Sequence, residues 1–315
     1  AKDYLLELKK SGALRDLALY WGVPGWAAAQ WSKDTSIHEA KRLVRLSGMR
    51  TYLSLRLSQG IDREEFLEEY RASGRKAWAS PLLSSSIRTA SNPYPLELPG
   101  YGEGKITPQS ESSMFVPETF CKKYKGGKIL DMCCGRGIKT GQIANLLPDA
   151  RVEAWDLSEP RVKSAKFEMM RMHAEERVCF KAGDALTLVP DETPQAILLD
   201  APCSGSGTWG RHPESKWRCS PENVTEAAEL QRKLLDRAVS LVAPGGIIAY
   251  STCSSFREEN EKVVASVMAQ HPELADVPVE RASKLMLKGK PYGTVILPVL
   301  PWVDGFYIAL LSKRK

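Results

Sequence analysis

The 315-residue chain is 43% hydrophobic and 26% charged, the balance of an ordinary soluble globular protein. No apolar run is long enough to span a bilayer and no signal-peptide pattern is present, so we expect a cytoplasmic protein without a membrane partner. The net charge of +6 is a modest bias toward a polyanion. Seven cysteines without a C-x-x-C pair argue against a disulfide scaffold and against a bound metal.

The first fifty residues predict helices. Residues 14–21 (LRDLALYW) and 38–46 (HEAKRLVRL) carry apolar side chains at three- and four-residue spacing. The sequence Val23-Pro24-Gly25 interrupts this pattern between them.

A small α+β unit follows these helices. Residues 51–58 alternate like a strand, 62–74 form an amphipathic helix that Asp62 caps, and 76–79 and 85–90 are extended. This order suggests a ferredoxin-like module. The Pro- and Gly-rich stretch 91–105 then indicates a linker or a crossover, and we predict two domains, 1–105 and 106–315.

From residue 127 onward, strand and helix signals alternate strictly. The strand signals lie at 128–133, 151–155, 177–182, 196–200 and 246–251. The helical patterns lie at 138–147, 159–174, 222–242 and 257–270. TVILPVLP and GFYIALLS, near the C-terminus, predict two closing strands. Five β–α units with such a closure indicate a doubly wound α/β sheet, Rossmann-like in architecture.

The turns after the first strands favour a nucleoside cofactor. Gly135 and Gly137 let the backbone approach a ligand at a helix N-terminus. Asp156 ends the second strand, where a carboxylate can accept from ribose hydroxyls, and Asp184 follows the third strand, where it could meet an adenine edge. Asp156 as a helix cap and Asp184 as a loop carboxylate remain alternative interpretations. With the Asp-Ala-Pro that follows the fourth strand, the set fits S-adenosylmethionine better than NAD.

Two cysteines indicate the chemistry. Cys203 and Cys253 each follow a strand signal, in Pro-Cys-Ser and Thr-Cys-Ser. Because carboxyl ends of parallel strands open onto one crevice, both thiols could face one pocket. With Asp200 nearby, such a pair suits covalent attack on a pyrimidine ring. The alternative is two buried cysteines that pack as small hydrophobic side chains.

Four segments in this order resemble the Sun-type, RsmB-like RNA (cytosine-C5)-methyltransferases. They are QSESSM (109–114), LDMCCGRGIKT (130–140), DAPCSGSGTWGRHPESKW (200–217) and YSTCSSFREENE (250–261). The resemblance implies an S-adenosylmethionine-dependent methyltransferase sheet, preceded by a small α+β RNA-binding module with N-terminal helices. It also implies methylation of C5 of a cytosine in RNA.

The resemblance implies a role for each matched catalytic residue. Cys253 becomes the nucleophile that adds to C6 of the cytosine, and Cys203 aids product release. Asp200 would contact the N3/N4 edge of the base. Lys139 would lie near both the cofactor and the reacting base.

The resemblance likewise implies a cofactor-binding set. Asp156 would bind the ribose, Asp184 the adenine end, and Arg161 would brace Asp156. The full set expected at the cofactor is Cys134, Gly135, Arg136, Gly137, Lys139, Asp156, Arg161, Asp184 and Asp200. Two positions depart from the family pattern, since Arg136 stands where the family usually has Pro and Ile138 where it usually has Gly.

Several alternatives stay open at this stage. Small-subunit ribosomal RNA is the favoured substrate and tRNA the alternative. The altered loop at Arg136 and Ile138 would also fit a non-catalytic RNA-binding factor. A DNA methyltransferase is disfavoured, because its nucleophile lies in the fourth-motif Pro-Cys. We expect a monomer, and Trp209 and Trp217 are candidate RNA contacts because they flank the loop after Cys203.

Overall fold

The computed structural model describes residues 2–280 and 286–315 of the chain. It begins with a helical segment, as the apolar spacing predicts. The helices are α1 (Lys2–Ser11), α2 (Leu14–Tyr20), α3 (Gly25–Asp34) and α4 (Ile37–Ser47). Ser36 caps α4 by accepting a hydrogen bond from the Glu39 backbone N–H.

A small antiparallel sheet follows. Its elements are β1 (Ser54–Leu57), α5 (Arg63–Ala72), β2 (Ala77–Ala79), β3 (Ser86–Thr89) and β4 (Ile106–Pro108). The strand order β2-β3-β1-β4, antiparallel throughout, is that of a ferredoxin-like unit. A 3₁₀ turn at Pro95–Glu97 lies between β3 and β4, where the motif has its second helix.

Strand β4 bears on the domain boundary. The sequence places the division after residue 105, yet Ile106 and Thr107 pair with Leu57 and Arg56 of β1. Ile106–Pro108 therefore belong to the small sheet, and the division into two domains stays a prediction. A three-residue strand after a Pro- and Gly-rich stretch has too little pattern to be recognised in the sequence.

The larger sheet carries the helices on both faces. Its elements are α6 (Glu111–Cys121), β5 (Ile129–Asp131), α7 (Ile138–Leu146), β6 (Val152–Asp156), α8 (Glu159–Arg171), β7 (Val178–Ala182), β8 (Ala196–Asp200), α9 (Ser215–Arg218), α10 (Pro221–Leu241), β9 (Ile247–Thr252), α11 (Glu261–Gln270), β10 (Leu274–Val277), β11 (Met286–Lys288), β12 (Thr294–Ile296) and β13 (Phe306–Lys313).

The strand order confirms the doubly wound sheet. Along the sheet it reads β11-β12-β13-β9-β8-β5-β6-β7, and β10 also pairs with β13. Strands β7, β6, β5, β8 and β9 are parallel, and β13 closes the sheet antiparallel to β9. Chain order reverses between β5 and β8, and ligands bind at such a switch point in open α/β sheets.

The N-terminal helices pack against the loops that follow β8 and β9. Trp31 contacts both Trp209 and Phe256, with ring centroids 5.6 and 5.7 Å apart. Trp209 is fully buried in this cluster, so the expectation that it touches RNA is wrong; Trp217 is 72% exposed. In the part of the chain that the structure describes, no helix is long and apolar enough to cross a membrane.

Candidate active site

The two predicted thiols lie together. Cys203 and Cys253 follow β8 and β9, which are adjacent and parallel, with Asp200 paired to Ser251. Their Sγ atoms are 3.4 Å apart. The contact with Cys253 and burial raise the pKa of the Cys203 thiol well above its usual range. Cys203 therefore holds its proton at neutral pH.

Hydrogen bonds join the loop after β8 to the loop after β9. The Gly207 N–H donates to the Cys253 carbonyl over 2.9 Å, and the Ser255 N–H donates to Ser206 Oγ over 2.8 Å. A Cβ at Gly207 would lie 2.2 Å from the Gly305 carbonyl oxygen. Only glycine fits this close approach of three backbone segments.

A fully buried carboxylate, Glu259, fixes both loops at once. Oε1 accepts from the Ser204 N–H over 2.7 Å, and Oε2 accepts from Ser204 Oγ over 2.5 Å and from Ser254 Oγ. Gln231 of α10 donates to Glu259 Oε1 and to the Pro202 carbonyl. Ser204 and Ser254 directly follow the two cysteines, so this carboxylate controls the geometry of both thiols. The sequence reasoning gave Glu259 no role.

Asp200 is held on both carboxylate oxygens. Lys139 Nζ donates to Oδ2 over 2.5 Å, and Ser251 Oγ donates to Oδ1 over 2.7 Å. Lys139 also lies 5.2 Å above the Phe306 ring. The ion pair with Lys139 limits the rotation of the Asp200 carboxylate.

The glycine-rich turn after β5 is shaped by close packing. Gly137 begins α7 in a left-handed conformation (φ +79°), and a Cβ there would meet Ala165 of α8 at 3.0 Å. At Gly135 (φ +57°) the space that a Cβ would fill is empty. This open backbone at a helix N-terminus fits a nucleoside-type cofactor.

The other predicted cofactor residues differ in placement. Asp156 is buried and accepts from the Gly135 N–H over 2.9 Å and from the Ser158 N–H over 2.8 Å. Arg161 lies 3.9 Å from Asp156 and its side chain is 62% exposed. Asp184 is exposed and its Oδ1 accepts from the Leu186 N–H, as a turn carboxylate does. Its expected adenine contact stays a prediction.

A second carboxylate that the sequence reasoning left without a role is Asp131, at the end of β5. It is 1% exposed, and its Oδ2 accepts from Thr140 Oγ1 over 2.7 Å. Oδ1 has no hydrogen-bond partner among the described residues. Burial raises the pKa of Asp131 to about 7, so the group titrates near neutral pH.

One cleft of about 530 Å³ gathers most of these groups. Its lining includes Asp131 and six of the predicted site residues: Cys134, Gly135, Arg136, Lys139, Asp200 and Cys253. Gly137, Asp156, Arg161, Asp184 and Cys203 lie outside its lining. In residues 2–280 and 286–315 no cluster of His, Cys, Asp and Glu has metal-binding geometry.

The doubly wound sheet, the open glycine turn and the paired thiols after β8 and β9 define a Rossmann-like methyltransferase domain of the S-adenosylmethionine-dependent class. The sequence profile of the family "16S rRNA methyltransferase RsmB/F" matches residues 119–312. The chain belongs to this family, as its motifs predict.

Curated relatives and a solved structure agree with this membership. "Ribosomal RNA small subunit methyltransferase B" of Photorhabdus laumondii is 32% identical over 90% of this chain and 63% of its own length. "Probable ribosomal RNA small subunit methyltransferase B" of Bacillus subtilis is 30% identical over 96% and 68%. The crystal structure of PH0851 superimposes with a TM-score of 0.87 at 29% identity, over 95% of this chain and 68% of that one. The chain spans less than two thirds of the first of these relatives.

Proposed function

We propose that this chain methylates C5 of a cytosine in small-subunit ribosomal RNA, with S-adenosylmethionine as the methyl donor. Family membership and the relatives' names support the class of reaction and the RNA. The observation that carries the cytosine-C5 chemistry is the pair of thiols, 3.4 Å apart, of which Cys253 lines the same cleft as Asp200.

The cleft offers a place for the cofactor. The turn from Cys134 to Gly137 would hold it against the N-terminus of α7, and Arg136 and Lys139 line the same wall. Asp156, Arg161 and Asp184 would act at the nucleoside end. When bound, S-adenosylmethionine supplies a methyl group made electrophilic by a sulfonium.

Cys253 performs the activating step. C5 of cytosine is a poor nucleophile, and addition of the Cys253 thiolate to C6 converts the ring to an enamine that is nucleophilic at C5. Cysteine suits this step because it is intrinsically strong as a nucleophile. Cys203 keeps its proton, so it does not compete for C6 in this step.

Asp200 stabilises the adduct by passing to N3, as charge develops there, a proton that it takes up from solvent. Lys139 and Ser251 fix its carboxylate in place for this contact. After methylation a base removes the C5 proton, the C5–C6 double bond re-forms and Cys253 leaves as thiolate. A water held beside the Cys203 thiol accepts that proton. The target base leaves its stack to enter the cleft.

The proposal extends to the domains. Residues 1–105 would contact RNA through the small sheet and residues 106–315 would carry out catalysis, with strand β4 favouring a division after Pro108. The protein would act in the cytoplasm as a monomer.

The test uses tritiated S-adenosylmethionine and RNA from cells that lack the enzyme. We expect label at C5 of a ribosomal cytosine. Label on a tRNA cytosine would be consistent with the proposed mechanism but would contradict ribosomal RNA as the substrate. No label, together with no cofactor binding, would favour a non-catalytic RNA-binding factor.

Cysteine variants test the mechanism itself. Cys253→Ala should abolish methylation while cofactor affinity is retained, and Cys203→Ala should accumulate a covalent protein–RNA adduct that survives denaturing gels. Cys179→Ala, which removes an exposed thiol of β7, is the matched control and should behave as the wild type. Full activity of Cys253→Ala would contradict the nucleophile assignment.

A further inference from the structure

A row of side chains crosses the small sheet and ends at the cleft. Trp78 of β2 pairs with Arg88 of β3, and Arg88 pairs with Ser54 of β1. The Gln109 N–H, just past β4, donates to the Ser54 carbonyl. Directly paired residues lie on one face of a sheet, so the row runs from the exposed edge strand inward. Ser54 and Gln109 line the cleft that contains Cys253.

Three aromatic rings lie along this path, and we call Trp78, Trp302 and Tyr52 the aromatic row. Trp302 lies 6.2 Å from Trp78 and 6.4 Å from Tyr52, centroid to centroid. Trp302 Nε1 donates to the Thr89 carbonyl over 2.7 Å, which fixes the ring. The Trp78 ring remains 46% exposed.

Two arginines contact the aromatic row in different ways. The Arg88 guanidinium lies 4.9 Å from the Trp302 ring, and both carboxylate oxygens of the buried Glu111 accept from it over 2.6 and 2.7 Å. Glu111 therefore neutralises the charge of Arg88, and Arg88 packs against the Trp302 ring. Arg50 lies 5.3 Å from Tyr52, is exposed, and has no ion pair or hydrogen bond with any residue that the structure describes.

The aromatic row is tied to the catalytic side by Arg211. Its Nη1 donates to the Tyr52 carbonyl over 3.0 Å, and its Nε donates to Asp304. Arg211 and Asp304 both line the cleft. A ligand that enters the cleft and continues outward therefore meets Tyr52, Trp302 and Trp78 in turn.

We propose that the aromatic row binds unpaired bases of the RNA strand next to the target nucleotide, with Arg50 contacting a phosphate. This inference rests on the proposed function, which brings an RNA strand to the cleft. One exposed ring, two half-buried rings and an exposed arginine suit single-stranded RNA, because every base has a face that can stack and every linkage carries a charge. A purely electrostatic surface would not need the rings.

The test measures binding of a fluorescein-labelled uridine dodecamer to the full chain by anisotropy. This RNA has no cytosine, so its binding does not depend on methylation. Trp78→Ala should weaken binding by about tenfold, because one base loses its stacking partner. Trp78→Phe, which keeps a ring, should recover most of the loss. Arg50→Ala should make the slope of log K against log salt shallower by about 0.7.

Controls separate this surface from general exposure. Phe167→Ala removes an exposed ring of α8, 71% accessible, and should leave binding unchanged. If Trp78→Ala binds as the wild type, or if Trp217→Ala weakens binding while Trp78→Ala does not, the aromatic row is not the RNA path. Unchanged melting temperatures must accompany the variants. If Trp78→Ala unfolds, Arg50→Ala keeps the test valid, because an unchanged salt slope in that variant would contradict the proposal.

Failure of the proposed function would be a distinct result. If the wild type methylates no RNA but Trp78→Ala still weakens dodecamer binding, the RNA-binding surface is supported and the proposed methylation is contradicted. If methylation proceeds and KM for RNA is the same in Trp78→Ala and the wild type, the proposed activity is supported and RNA binding by the aromatic row is contradicted.

Discussion

The N-terminal part of the chain contacts the part that contains the larger sheet at two contrasting seams. The apolar seam consists of Trp26, Trp31, Trp209 and Phe256, whose rings pack with centroids 5.3 to 6.1 Å apart. Trp209 and Phe256 belong to the loops that carry Cys203 and Cys253. The apolar seam therefore supports the thiols.

The polar seam consists of Arg56, Gln109 and Gln142, all buried. Arg56 Nη1 donates to Gln109 Oε1 over 2.5 Å and to the Ile138 carbonyl over 3.1 Å, and Gln109 Nε2 donates to Gln142 Oε1 over 2.9 Å. Ile138 and Gln142 belong to α7, directly after the glycine turn. The polar seam therefore supports the cofactor wall.

The two seams fix the two sides of the cleft, the thiol loops and the glycine turn before α7, by different interactions. Ring packing is non-directional and gains its strength from area, whereas a buried hydrogen-bond network fixes direction and is costly to break in part. The thiol loops gain their directionality separately, from Glu259. We expect changes in one seam to act on thiol chemistry and changes in the other to act on cofactor affinity.

The largest effect should come from the apolar seam. Trp209→Ala should lower the free energy of unfolding by about 3–5 kcal/mol, because it leaves a large cavity in a fully buried cluster. Urea unfolding measures this. Trp217→Ala, at a 72% exposed ring, should change stability by less than about 0.5 kcal/mol. Equal losses in both variants would remove the distinction between seam and surface.

Asp131 tests the cofactor wall through pH. Burial raises its pKa from 3.8 to about 7, so between these values the unfolded chain ionises while the folded one keeps the proton. Stability of the wild type relative to Asp131→Asn should therefore fall by about 2–4 kcal/mol from pH 4 to pH 8, at 1.36 kcal/mol per pKa unit. A difference that is constant with pH would contradict the raised pKa.

Arg56→Lys tests the polar seam. A lysine has no planar fork, so Gln109 and the Ile138 carbonyl cannot both keep their hydrogen-bond donor. The free energy of unfolding should fall by about 1–3 kcal/mol. KM for S-adenosylmethionine should rise while the yield of covalent RNA adduct at saturating cofactor stays unchanged. A lowered adduct yield with an unchanged KM would reverse the assignment of the two seams.

Glu259→Gln should give the smallest effect in free energy, and the most specific. The amide presents one acceptor and one donor where the carboxylate accepts on both oxygens, so the two thiol loops shift relative to each other. We expect kcat to fall by about tenfold with KM for the cofactor unchanged. Glu258→Gln alters the adjacent carboxylate, which bonds to Gln30 and Lys262, and is the matched control.

Sequence patterns predicted the parts of this molecule that depend on local rules. The alternating strands and helices from residue 127, the glycine turn and the strand-end cysteines follow from periodicity and backbone geometry, and the larger sheet confirms the fold. The short strands β4, β10 and β11 carry too little pattern to be recognised.

The remaining features arise only in three dimensions. Glu259 lies in a 3₁₀ turn, and its role depends on two loops from distant strands meeting beside it. Trp209 looks like a loop aromatic in the sequence, and only the packing of α3 against it explains its burial. Asp131 and Glu259 both lie within the long motifs that resemble the family, and no role was assigned to either. Their place in those motifs is the sequence signal that could have marked them as functional.

The shared strand β4 has a practical consequence for anyone who divides the protein into fragments. A cut after residue 105 would leave β1 with an unpaired edge in the N-terminal fragment, and would give the C-terminal fragment a short strand with no sheet to join. Unpaired edges promote aggregation through strand addition. Fragments that end after Pro108 keep the small sheet whole and should be the more soluble ones.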